Sequence, residues 1–186
     1  MENNLNTTIY PHSDQTSFGL SKSPTGIIGF DDITYGGLPK NRPTLLVGSI
    51  GTGKTFMAME FIINGITKYN EPGVFMTFEE KTDELIENVA SLGYELNKLI
   101  QEDKIYLEHL SITHTEIQDS DKFNIDGLFI RLEHAISKVN AKRVVLDAMD
   151  TLFASLDTQV LRAEYKRLFS WLKEKQVTAI ITAENG

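Results

Sequence analysis

Gly48-Ser49-Ile50-Gly51-Thr52-Gly53-Lys54-Thr55 decides how this chain is read. The stretch fits G-x-x-x-x-G-K-[ST], a loop whose backbone N–H groups cradle the phosphates of a nucleoside triphosphate. Thr44-Leu45-Leu46-Val47 before it reads as a short buried strand. Phe56 to Lys68 after it reads as a helix, with Phe56, Met59, Ile62, Ile63 and Ile66 at helical spacing. Strand, glycine loop and helix in that order are the context the motif needs. Gly48, Gly51 and Gly53 open backbone angles closed to other residues, so that successive N–H groups turn inward. The following helix aims its N-terminal partial charge at the same point. Lys54 adds a full charge within reach of the β- and γ-phosphates, and the Thr55 hydroxyl is placed for a magnesium ion. Ser49 and Thr52 complete the nucleotide-binding loop.

Other segments extend the pattern. Val74-Phe75-Met76-Thr77-Phe78 is a continuous apolar run of strand length, the kind buried on both faces of a parallel sheet. It ends in Glu79-Glu80, and Thr82 is placed to cap a helix that runs to about Ser91. Leu96 to Ile100 forms a further helical turn, and Ile105-Tyr106-Leu107 a third strand. Ile125, Leu128, Phe129, Leu132, Ile136 and Val139 mark one face of an amphipathic helix. Arg143-Val144-Val145-Leu146-Asp147 is a β-branched strand ending in a carboxylate, the form of a magnesium-holding aspartate. Asp157 or Thr158 caps a helix carrying Tyr165, Leu168, Phe169 and Leu172. Val177 to Thr182 is a last apolar strand.

Alternation of this kind predicts an α/β fold: a mainly parallel, twisted sheet with helices on both faces. Ligands of such sheets sit beyond the C-terminal ends of the strands. Gly48, Glu79, Asp147 and Thr182 all fall at that edge, although they are far apart in sequence. Glu79 and Glu80 are then candidates to orient a water in line with the γ-phosphate and accept its proton. Either one fits that role on sequence grounds.

Composition narrows the classes further. The chain of 186 residues suits one domain, 23–186, behind a polar, flexible tail over 1–22. It has no cysteine, which excludes disulfides and thiol catalysis and suits an intracellular, cytoplasmic setting. A net charge of −8 without a basic stripe argues against nucleic-acid partners and anionic membranes. No apolar run approaches the roughly 20 residues that span a bilayer. No two histidines have metal-ligand spacing. Ile112 to Asn124 is polar and without period, and reads as an exposed loop.

With these residues in view, the chain resembles the KaiC family of RecA-like ATPases, most of all the first of the family's two tandem repeats. Gly29-Phe30-Asp31-Asp32-Ile33 with Gly36-Gly37-Leu38-Pro39 matches, as does the phosphate loop. So do Asn64-Gly65-Ile66, Glu71-Pro72-Gly73-Val74-Phe75, Thr77-Phe78-Glu79-Glu80, and Arg143-Val144 with Asp147. The resemblance implies a RecA-like P-loop fold that binds ATP and Mg2+ and hydrolyses ATP slowly within a hexameric ring of a circadian clock. It implies Glu79 and Glu80 as the catalytic carboxylates, Lys54 on phosphate, and Thr55 with Asp147 on the metal. It places Ser91 near the nucleotide sugar. It also implies a KaiB-like protein partner for the loop 112–124. The family's autokinase activity belongs to its second repeat and is not expected here. Members continue beyond the strand ending at Thr182 with basic residues that reach a neighbouring subunit's ATP, so the domain reads as C-terminally incomplete. The alternative expectation is therefore an ATP-gated protein-interaction module with little or no hydrolysis.

Overall fold

A computed structural model describes residues 19–111, 125–153 and 157–184. The polar loop expected over 112–124 lies outside the described residues, as do residues 1–18 of the expected tail. The elements are β1 (Lys22–Ser23), α1 (Phe30–Ile33), β2 (Leu38–Pro39), β3 (Pro43–Gly48), α2 (Lys54–Tyr69), β4 (Gly73–Thr77), α3 (Thr82–Ala90) and α4 (Leu96–Gln101). There follow β5 (Ile105–His109), α5 (Asp126–Val139), β6 (Arg143–Asp147), α6 (Met149–Phe153), α7 (Thr158–Glu174) and β7 (Thr178–Glu184).

Five strands form one parallel sheet in the order β3-β7-β6-β4-β5. Side chains alternate between its faces, as strand geometry requires. Phe75, Val145 and Ile180 enter a core with Met59, Ile62 and Phe61 of α2 and Leu85 of α3. Their neighbours Val74, Met76, Val144, Leu146 and Ile181 enter the opposite core, with Leu132 of α5 and Leu168 and Leu172 of α7. The parallel sheet covered on both faces, read from the strand pattern, is the fold observed, an α/β arrangement.

Several local expectations are corrected. Thr82 does not cap α3: the N-cap residue is Lys81, and no side chain bonds there. Asp157, rather than Thr158, caps α7, its carboxylate accepting from the N–H groups of Gln159 and Val160 at 2.8 and 3.0 Å. The short helix α6 and the β1–β2 ribbon were not foreseen. Lys22, the last residue of the expected tail, pairs with Pro39 in that ribbon.

At the N-terminal edge of the sheet, Arg143 is fully buried. Its guanidinium meets Glu71 at 2.7 Å and donates to the carbonyls of Phe61 and Pro24, both at 2.8 Å. It also lies over the rings of Phe61 and Tyr69. Burial lowers its affinity for the proton, and Glu71 opposes that shift only in part. Gly65 in mid-α2 makes room, since a Cβ there would stand 2.4 Å from Arg143. Arg143 thereby ties the lead-in segment to the sheet at the end away from the glycine loop.

Candidate nucleotide site

β3 ends at Gly48 and α2 starts at Lys54, so the glycine loop joins the C-terminal end of a strand to a helix N-terminus. That strand is not buried as expected, since it lies at the sheet's edge with Leu45 and Val47 exposed. Gly51 and Gly53 have φ of +77° and +84°, and a Cβ on either would meet open space. Conformation, not crowding, is what calls for glycine at these two positions. Gly48 differs from the expectation. It is a strand residue paired with Glu184 and needs no special backbone angle. A Cβ there would lie 2.8 Å from the Thr52 hydroxyl, so glycine supplies space. That hydroxyl donates to the Ser49 carbonyl at 2.8 Å and closes the turn. The Lys54 ammonium donates to the carbonyls of Gly48 and Ser49, each at 2.9 Å. These are neutral acceptors, and a phosphate oxygen is a stronger partner for the same ammonium.

Asp147 closes β6 and is buried. One of its oxygens accepts from the Thr55 hydroxyl at 2.9 Å, and the other accepts from the Thr182 hydroxyl. Burial pushes its carboxyl up, against the pull of these two hydroxyls and of Lys54, while nearby Glu79 pushes it further up. Thr77, beside Asp147 in the sheet, makes the turn that follows β4. Its hydroxyl donates to the Glu80 carbonyl at 3.0 Å and accepts from the Glu80 N–H at 3.1 Å. The Phe78 N–H donates to the Asp147 carbonyl at 2.7 Å. Glu79 and Glu80 are thus carried on a turn bonded to the aspartate's own strand.

Each glutamate has its own holder. A Glu79 oxygen accepts from the Thr151 hydroxyl at 2.6 Å, and a Glu80 oxygen accepts from the Asn88 amide. Burial raises the Glu80 carboxyl, with Asp147 and Glu84 adding to the rise and Asn88 opposing it.

The loop, both glutamates, Asn88, Asp147 and Glu184 line one cleft of about 290 Å³. Among the described residues that line it, Lys54 is the single cation, against four carboxylates. Such an excess suits a divalent cation shared with phosphate. Among the described residues no cluster of three or more His, Cys, Asp or Glu is arranged to hold a metal alone. Magnesium binds through one or two protein groups plus phosphates and water. Thr55 and Asp147 are the groups that fit it here. Two larger clefts, about 570 and 620 Å³, lie around Tyr94 and Lys98, away from this convergence.

The sequence-predicted residues mostly meet at this cleft, but Gly48 and Ser49 do not line it and hold Lys54 from behind through their carbonyls. Ser91 is exposed at the end of α3, its hydroxyl donating to the Asn88 carbonyl at 2.6 Å, and does not line the cleft. Phe56, assigned to the core face of α2, is 43% exposed and lines the cleft instead. Asn88, Thr151 and Glu184 were missed. Glu184 follows the apolar strand and was findable by the same strand-end argument as Asp147. Asn88 and Thr151 carry no sequence signal. Among the described residues, no helix is long and apolar enough to cross a membrane.

A family model described as "ATPase: KaiC" matches residues 23–186. The chain is 52% identical over 171 residues to "Circadian clock protein KaiC2" of a Synechocystis species, covering 91% of this chain and 30% of that protein. It is 42% identical over 166 residues to "Circadian clock oscillator protein KaiC" of Prochlorococcus marinus, covering 89% and 33%. The KaiC of Thermostichus vulcanus is likewise 42% identical, over 173 residues, covering 92% and 33%. The chain spans about a third of the length of these curated relatives.

Proposed function

Because the chain belongs to the KaiC family of RecA-like ATPases, we propose that it binds Mg-ATP in the cleft at the C-terminal rim and hydrolyses it slowly. The observation that carries this reading is the Thr55–Asp147 hydrogen bond, which joins the phosphate loop to the strand-end carboxylate. Gly51, Thr52, Gly53 and Lys54, with Gly48 and Ser49 behind them, hold the phosphates. Thr55 and Asp147 would hold the metal. Bound there, magnesium supplies neutralisation of charge on the phosphate oxygens. Glu79 and Glu80 orient the attacking water and take its proton. By family analogy the working unit is a cytoplasmic hexameric ring in a circadian clock, and residues 112–124 meet a KaiB-like protein.

Steady-state ATP turnover of the wild type against the Glu79→Gln, Glu80→Gln double variant tests the assignment. We expect a fall of about 10²-fold or more, in the range of general-base catalysis. Equal rates would remove both glutamates from the mechanism. Light scattering with and without Mg-ATP tests assembly, where a particle that stays monomeric in both conditions speaks against the ring.

One feature favours a second reading, an ATP-gated interaction module with negligible hydrolysis. Among the described residues that line the cleft, Lys54 alone offers positive charge. A second cation is worth 10³–10⁵ in rate in related nucleotidases. ATP-dependent capture of a partner without phosphate release separates this reading from the first.

A further inference from the structure

The two glutamates are held by different parts of the molecule. Asn88, which holds Glu80, lies on the exposed side of α3. Thr151, which holds Glu79, lies on α6, the helix that follows Asp147 after one intervening residue. The Thr151 N–H donates to the Ala148 carbonyl at 3.3 Å. Met149, Leu152 and Phe153 of the same helix are buried in the core. The Thr151 hydroxyl is therefore mounted on the rigid continuation of the strand that presents Asp147.

Resting on the hydrolytic reading above, we infer that Thr151 is a positioning residue for Glu79. Its hydroxyl fixes one carboxylate oxygen at a set place relative to Asp147. The other oxygen has no hydrogen-bond partner among the described residues and remains able to accept from the attacking water. The cost of a loose carboxylate falls on the chemical step, because orientation is what the catalytic base contributes.

The test uses Thr151→Val, which keeps shape and removes the hydroxyl, and Thr151→Ser, which keeps the hydroxyl. Thr151→Val is expected to lower kcat about tenfold, the loss of one hydrogen bond to a charged group. KM and ADP affinity are expected to stay within about twofold of wild type, and Thr151→Ser to recover most of the rate. Unimpaired kcat in Thr151→Val, or an equal fall in Thr151→Ser, overturns the role. Glu79→Gln separates this from the parent reading. A slow Glu79→Gln beside a fast Thr151→Val overturns positioning alone, whereas a fast Glu79→Gln overturns the positioning role together with the role of Glu79, and the hydrolytic reading itself then falls only if the double variant is also fast. A crystal structure of Thr151→Val is a readout that needs no turnover. The Glu79 carboxylate is expected to spread over several rotamers, and a single unchanged rotamer contradicts the inference.

Discussion

Thr55 and Asp147 stand 92 positions apart in the chain and share a hydrogen bond of 2.9 Å. One residue lies in the first turn of the helix after the glycine loop, and the other ends a strand two places across the sheet from β3. A single bond thus reports that both halves of the cleft are assembled.

Thr55→Val retains the side-chain shape and deletes the hydroxyl. The account expects Mg-dependent ATP affinity to fall about tenfold or more, a lost contact to a charged group, while affinity in chelator stays within about twofold of wild type. Calorimetry with magnesium and with chelator measures both. An unchanged response to magnesium would detach Thr55 from the metal.

Arg143→Ala leaves the carbonyls of Phe61 and Pro24 without their donor and Glu71 without its partner. Removing one member of a buried, hydrogen-bonded pair costs about 3–5 kcal/mol, which urea unfolding reads directly. The neighbouring glycine gives a sharper form of the prediction. Gly65→Ala should destabilise the wild type, because its Cβ meets Arg143. In the Arg143→Ala background the same change should stabilise, by about 0.5–1 kcal/mol of helix propensity. The same sign in both backgrounds would refute the packing argument.

Asp31 gives a pH dependence. Burial favours its neutral form, but the Thr25 hydroxyl and the N–H groups of Thr25 and Gly26 donate to it at 2.7–2.8 Å. With the Arg143 charge beyond them, these donors hold the carboxyl below its ordinary value. The folded chain therefore binds this proton less readily than the unfolded chain. The resulting stability is fully present above about pH 4, the ordinary aspartate range, and is lost as pH falls through the lower folded value. The gap in unfolding free energy between wild type and Asp31→Asn should be widest above that pH and narrow below it. Parallel curves from pH 7 to pH 3 would show that these bonds do not favour the charged form.

How far the sequence could be read depends on how local each signal is. Strands β4, β6 and β7 are apolar runs between turn residues, and burial on both faces of a parallel sheet produces that pattern, so their placement was legible. The placement of Lys54 and Asp147 at one rim was legible for the same reason, since each sits at a strand or helix end that the period marks. The need for glycine at position 48 was read as conformational but is spatial, because Thr52 folds back from four residues later. Phe56 has helical spacing with the core face, yet it sits in the first turn of α2, where the cleft opens. Asn88 and Thr151 meet Glu80 and Glu79 only through tertiary packing, and neither spacing nor composition encodes those meetings.

The central claim is that the rim around Lys54 is a Mg-ATP site. Titration calorimetry of Mg-ATP into the wild type and Lys54→Ala tests it most directly. The account predicts saturable binding at one site per chain, weakened at least about tenfold when the charge-assisted contact of Lys54 is removed. Absence of binding in the wild type, or equal affinity in the two proteins, would contradict it.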